Sequence, residues 1–217
     1  GAKQYFFVSS AGMYKPNACE PEYVETDGVK ASAGHAGVEN YLKEKDLPYT
    51  IFRPLYIYGP FTAKGAYFDY YIDRIIRDKP VPVPSPGIQL TSLTHVEDVA
   101  GMISKAVGNP NAIRKTYNLC TDRYITLDGI ARVVSKALGK EASIVHYDHA
   151  NAGLKKGEGF PMRTVHFICS CDKAKAELDW KPKHSVQEDV SEVIADYKAK
   201  QKDTGEVDLS VDQKILA

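Results

Sequence analysis

Residues 153 to 183 carry Lys155, Lys156, Arg163, Lys173, Lys175, Lys181 and Lys183 against Glu158, Asp172, Glu177 and Asp179. Seven cations facing four anions leave an excess of three, in a chain whose 28 Lys plus Arg balance 28 Asp plus Glu. Mobile ammonium groups along a loop or groove neutralise phosphates, so Lys155, Lys156, Arg163, Lys173 and Lys175 are candidate polyanion contacts. A solvated lysine face is the competing reading. The balanced total excludes a nucleic-acid binder driven by bulk positive charge. Arg53 follows an apolar run; it is of the type that holds a phosphate or an acidic group, or that caps carbonyls and pairs with a carboxylate. His95 and Asp98 open a helical pattern in which Glu97 and Asp98 complement the dipole. Tyr56 and Tyr58 follow the same run as Arg53, where parallel α/β sheets place their ligands. Fourteen tyrosines offer rings for stacking on bases, although core packing uses the same rings.

The remaining reactive side chains lack the spacing of a metal site. The six histidines form no His-Glu-x-x-His pair, and Cys19, Cys120, Cys169 and Cys171 form no Cys-x-x-Cys pair. No metal ligands are therefore expected, and the thiols read as reduced and packed. With 43% apolar and 26% charged residues the chain is of globular composition. No apolar run approaches the roughly 18 residues of a membrane span, so no membrane partner is expected.

The elements that must position these groups alternate between strand and helix. Gln4 to Ser9 and Tyr49 to Phe52 read as buried parallel strands, the second closed by Arg53-Pro54. Gly34 to Lys45 reads as a helix with Val38, Tyr41 and Leu42 inward, and Phe68 to Arg77 as an amphipathic helix. The prolines between Asp78 and Gly87 require an extended connection. Val96 to Val107 is helical, and Tyr117-Asn118-Leu119 is a strand. Thr126 caps a helix that ends at Gly139. Ile144 to Tyr147 is a strand, and Gly153 to Gly159 a lysine-bearing loop. Ser185-Val186-Gln187-Glu188 is a capping box that opens the last helix. From Lys198 to residue 217 the sequence reads as a polar tail. The class is α/β with parallel pairing. The opening strand lacks the alternation of a protected edge, and no Gly-x-Gly-x-x-Gly turn occurs. The reading is of a single incomplete domain over 1–217, with further residues or another chain expected to cover that edge.

Five stretches together resemble the extended short-chain dehydrogenase/reductase superfamily of nucleotide-sugar epimerases and dehydratases. They are Phe7 to Tyr14, Arg53 to Pro60, His95 to Ala100, Tyr117-Asn118-Leu119, and Leu178-Asp179-Trp180-Lys181-Pro182. The resemblance implies the carboxyl-terminal part of a Rossmann-like sheet plus a small substrate domain. It also implies a tyrosine–lysine dyad four residues apart, in which the ammonium lowers the phenol's pKa for proton relay beside a nicotinamide. Ser10 matches the family's substrate-side serine. Aligned on Glu39, however, Ala31 stands at the tyrosine position and His35 at the lysine position. Tyr41 and Lys45 keep the spacing, with Tyr41 read as core. Ser9, Ser10, Arg53, Pro54, Tyr56, Tyr58 and His95 would then line a vestigial cofactor pocket. No cofactor is expected in this chain, and NAD(P) is left open for a full-length protein.

Within that superfamily, Lys3 to Gly12, Val29 to His35, Pro82 to Thr91, Thr126 to Gly129, Ile144 to Asp148 and Phe160 to Phe167 are similar to the chloroplast stem-loop-binding proteins. This likeness extends from about Lys3 to Leu216 and includes the missing dyad. It implies a protein of the chloroplast stroma that binds stem-loops of plastid mRNA or rRNA. It further implies endoribonuclease action with Mg, and association with ribosome and transcription complexes. A homo-oligomer, or a hetero-oligomer with a related paralogue, is implied as well; the catalytic residues are not identified by it. The rival expectations are a nucleotide-sugar epimerase or reductase with an unconventional dyad, and a scaffold subunit without catalysis.

Overall fold

The computed structural model describes residues 1–16, 22–62, 66–155 and 157–216. In chain order the strands are β1 (Tyr5–Val8), β2 (Glu22–Tyr23), β3 (Tyr49–Pro54), β4 (Tyr56–Tyr58), β5 (Val81–Pro84), β6 (Leu90–Thr91), β7 (Leu93–His95), β8 (Lys115–Leu119), β9 (Ile125–Thr126), β10 (Ile144–Tyr147) and β11 (Ile168–Cys169). The α-helices are α1 (Gly34–Glu44), α2 (Ala66–Ile76), α3 (Val96–Ala106), α4 (Leu127–Leu138), α5 (Asp172–Leu178), α6 (Val186–Ala199) and α7 (Ser210–Leu216). They form two compact units, one from residues 1–57, 92–124 and 167–185, the other from 58–91, 125–166 and 186–217. Among the described residues no helix is long and apolar enough to cross a membrane.

The first unit is built on a parallel sheet in the order β1-β3-β8, with Phe7 opposite Ile51 and Phe52 opposite Tyr117. All six residues of central β3 are buried, as a strand covered on both faces requires. Alternation along β3 sends Tyr49 and Ile51 into a cluster with Leu42 of α1, and Phe52 into the larger core. That larger core holds Tyr117, Met102 and Ala106 of α3, Leu178 of α5, Trp180 and three buried cysteines, Cys120, Cys169 and Cys171. Cys19 lies outside the described residues. Two expectations are corrected here. The opening strand is not buried: β1 is an edge that pairs with β3, and Tyr5, Phe6 and Val8 are exposed. Helix α1 is also turned by about one residue from the expected face. Ala36, Glu39 and Leu42 point inward, while Val38 is exposed and Tyr41 is 56% exposed. The reason is electrostatic, because Glu39 must reach a buried arginine of β3.

The second unit follows from its caps and prolines. Thr126 Oγ1 accepts the Gly129 N–H at 2.9 Å, and Gly139 closes α4 in the left-handed region at φ 64°. The proline-rich stretch forms a strand, β5, parallel to β10. Val81 and Ser85 donate to the Ser143 and Tyr147 carbonyls, so Pro82 and Pro84 occupy the alternate positions that face away from β10 and owe it no donor. The stretch expected as a polar tail contains α7. Its Asp212 is buried and accepts from Arg74 Nε at 2.8 Å and Nη2 at 2.7 Å. The Arg74 guanidinium also lies 3.6 Å from the Tyr70 ring centroid.

Candidate functional site

The carboxyl end of the three-stranded sheet carries a buried polar network. Ser9, just past β1, donates its hydroxyl to Glu39 Oε1 at 2.7 Å. Arg53 of β3 grips the same carboxylate through Nε at 3.0 Å and Nη2 at 2.7 Å. Its Nη1 donates to the Tyr14 hydroxyl at 2.9 Å and to the Glu25 carbonyl at 3.0 Å. Tyr14 in turn donates to Asn118 Oδ1 at 2.7 Å, and Asn118 Nδ2 to the Tyr23 carbonyl at 3.0 Å. Burial pushes the Glu39 carboxyl up, but the hydrogen bonds from Arg53 and Ser9 and the nearby cations outweigh it, and the carboxyl lies below the ordinary range. Burial raises the Tyr14 phenol well above its ordinary value, against the opposing pull of Arg53.

This network decides between the two readings of Arg53. Its guanidinium is spent on a carboxylate, a phenol and a carbonyl, which leaves it the structural role rather than that of a phosphate clamp. The other residues of the expected vestigial pocket divide similarly. Ser9, Pro54, Tyr58 and His95 are buried. The Tyr58 hydroxyl donates to Asp189 at 2.6 Å, and His95 Nδ1 caps α3 by accepting the Glu97 N–H at 3.2 Å. Ser10 and Tyr56 are half-buried. Ser10 Oγ accepts the Gly12 N–H at 3.0 Å, opening the short 3-10 turn Ala11–Met13. Tyr56 sets its ring edge-on to Phe167, centroids 5.8 Å apart.

Ala31 lies in a turn held beside that 3-10 turn, since Lys30 N–H donates to the Met13 carbonyl at 2.8 Å and Val29 bridges Tyr14. His35 is exposed in the first turn of α1, its ring 6.2 Å from that of Phe7. On the alignment to Glu39, the positions expected to carry a phenol and an ammonium beside a nicotinamide hold a methyl and an exposed imidazole. The residues present do not fit that cofactor's proton relay. Tyr41 and Lys45 keep the four-residue spacing on the exposed face of α1.

The basic candidates separate by what already holds them. Lys173 Nζ donates to the Thr116 carbonyl at 2.8 Å and lies 5.2 Å from the Tyr117 ring centroid. Lys175 pairs with Asp122 at 2.7 Å and Asp172 at 3.1 Å, and the hydrogen bond to Asp122 raises its pKa. Both are committed inside the first unit. Lys155 is exposed and Arg163 half-buried, in the second unit; Lys156 lies outside the described residues.

The first unit also carries a groove that the sequence alone does not disclose. A groove of about 620 Å³ is lined by α3 residues, Lys105 among them, and by Lys175, Asp179, Trp180, Lys181, Lys183 and His184. Asp98 Oδ1 and Oδ2 accept the N–H groups of Lys183 and His184 at 2.9 and 3.1 Å. The His184 ring stacks on His95 at 3.9 Å, and its Nε2 lies 3.3 Å from Glu97. The available signal was the alternation Lys181-Pro182-Lys183 directly after a core tryptophan.

Comparison with known proteins bears on this geometry. Residues 1–120 match the model of the NAD dependent epimerase/dehydratase family. The chain is 36% identical over 194 residues, 88% of its length, to the chloroplast stem-loop binding protein of 41 kDa b of Arabidopsis thaliana, and spans 51% of that relative. Among solved structures, a UDP-glucose 4-epimerase from Thermotoga maritima with UDP-glucose superposes with TM-score 0.74 at 21% identity, covering 93% of this chain and 65% of the other. A UDP-glucuronic acid 4-epimerase from Bacillus cereus in complex with NAD gives TM-score 0.73 at 18% identity, over 96% and 63%. The parallel sheet, the flanking helices and the matched span agree: the chain belongs to the NAD dependent epimerase/dehydratase family.

Proposed function

We infer that this chain is part of a plastid protein that binds stem-loop RNA on an epimerase/dehydratase scaffold whose redox chemistry has been lost. The observation that carries the reading is the 36% identity to a chloroplast stem-loop binding protein, and the alignment on Glu39 that puts Ala31 and His35 at the dyad positions supports it. The internal use of Arg53 supports it, because four of its five N–H donors are already spent on protein acceptors. Location in the chloroplast stroma, cleavage of the bound RNA with a divalent ion, and association with a second copy or a related paralogue belong to the same proposal. Magnesium-dependent shortening of a labelled stem-loop, and the mass of the protein in solution, test the last two.

The epimerase reading needs a phenol and an ammonium at the substrate, and the chain's remaining pair stands on the exposed face of α1. Acid–base assistance is worth about 100- to 10,000-fold, so turnover of nucleotide sugars should be a trace. The deciding experiment compares salt-sensitive gel shifts of a stem-loop RNA with turnover of nucleotide sugars in the presence of NAD. Binding without turnover supports the reading. Robust turnover abolished by Tyr41→Phe overturns it.

A further inference from the structure

The groove beside α3 is cationic where it is unspent. Four lysines and three acids line it; Asp98 is buried, while Glu97 and Asp179 are exposed carboxylates that each face a basic side chain. Asp98 accepts two backbone N–H groups, Glu97 is turned to His184, and Asp179 faces Lys105 at 3.3 Å. Lys175 is bound by Asp122 and Asp172. What remains is Lys181 and Lys183, both exposed, with no ion pair to either among the described residues.

Their backbone is held firmly. Residues 179–185 run without helix or strand between α5 and α6. At one end Trp180 is buried, with its indole over Gly101, where an added Cβ would lie 3.5 Å from Nε1. At the other, Asp98 clasps the N–H groups of Lys183 and His184, and His184 stacks on His95. Pro182 fixes φ between the two lysines. Two residues of extended chain span about 6–7 Å, so the pair offers two cations at a fixed interval on one wall of a groove. Fixed spacing matters because an ordered backbone leaves only side-chain freedom to be lost on contact.

We propose that Lys181 and Lys183 form a phosphate-contacting wall for an RNA strand lying in the groove between α3 and residues 179–185. This rests on the RNA reading of the chain and moves its contacts away from the committed Lys173 and Lys175. Each lysine that neutralises a phosphate displaces counterions and steepens the dependence of log affinity on log salt by roughly 0.7–0.9.

The test uses a fluorescently labelled RNA hairpin and the intact protein, titrated between about 50 and 200 mM salt. K181A/K183A should weaken binding roughly tenfold per lysine at low salt and flatten the slope by about 1.5. K181R/K183R should restore the parent slope, and an unchanged melting curve for both variants shows that the fold is kept. Binding by the parent with an unchanged slope in K181A/K183A, or a flattened slope in K155A instead, overturns this wall and leaves the RNA reading standing. Failure of the parent to bind the hairpin at low salt removes both. Binding of poly-glutamate in place of the hairpin also overturns the proposal, since it would make the groove a site for acidic protein.

Discussion

Replacing Glu39 by glutamine removes the only carboxylate facing Arg53 in the described network, while nearly preserving side-chain shape. The side chains of the pair are 2% and 4% exposed, so solvent screens little of the loss. An unpaired buried guanidinium costs about 3–5 kcal/mol. For a chain of this size that corresponds to a melting point lower by about 6–20 °C. The chain has one tryptophan, Trp180, buried in the core of the same unit, so its fluorescence reports this unit directly. The loss depends on pH with a definite sign. The folded Glu39 carboxyl lies below its ordinary value, so the unfolded chain takes up the proton first as pH falls. Its contribution is fully present above about pH 4.3 and disappears as pH falls through the folded value. The gap between parent and E39Q, followed by denaturant titration, should therefore narrow on acidification. In E39L/R53M the combined loss should be smaller than the sum of the single losses, because no charge is left unpaired. A loss under about 1 kcal/mol, or a gap constant down to low pH, would refute the account of this network.

Tyr14→Phe leaves Asn118 Oδ1 and one Arg53 N–H without a partner in the core, and should cost about 1–3 kcal/mol by the same fluorescence measurement. Gly87→Ala should destabilise the second unit by about 2–5 kcal/mol, followed by far-ultraviolet circular dichroism. Its φ is +81°, and an added Cβ would stand 2.2 Å from Asp128 Oδ1 and 2.4 Å from His146 Nε2. Asp212→Asn strands the buried Arg74 and should release α7, seen as faster proteolytic loss of the C-terminal segment; unchanged digestion contradicts the pairing.

What the sequence disclosed was mainly local. The cap at Thr126 and the left-handed Gly139 each act within one turn and are found where expected, and α3 forms over its expected span, but it buries Asp98, Met102 and Ala106 and leaves Ala100 and Val107 exposed. The face of α1 was misread because hydrophobic periodicity placed Val38 and Tyr41 inward, whereas a buried ion pair between residues 14 apart rotates the helix. Lys173 and Lys175 read as a free basic face for a similar reason: Asp172 stands beside them in sequence, but their partners Thr116 and Asp122 lie more than 50 positions away and meet them only when the chain is folded. The groove joins α3 to residues far along the chain, and Asp98, an ordinary first-turn acid in sequence, is the clasp that holds the lysine segment 85 positions later. Residues 198 onward are polar in composition, yet Asp212 finds Arg74 and draws α7 onto the second unit.

The most direct test of the central claim is the salt dependence of stem-loop RNA affinity for the intact parent protein, measured from about 50 to 200 mM salt. The account predicts binding at low salt whose logarithm falls linearly with log salt, by roughly 0.7–0.9 for each phosphate held. Absence of binding at low salt, or an affinity indifferent to salt, would contradict it.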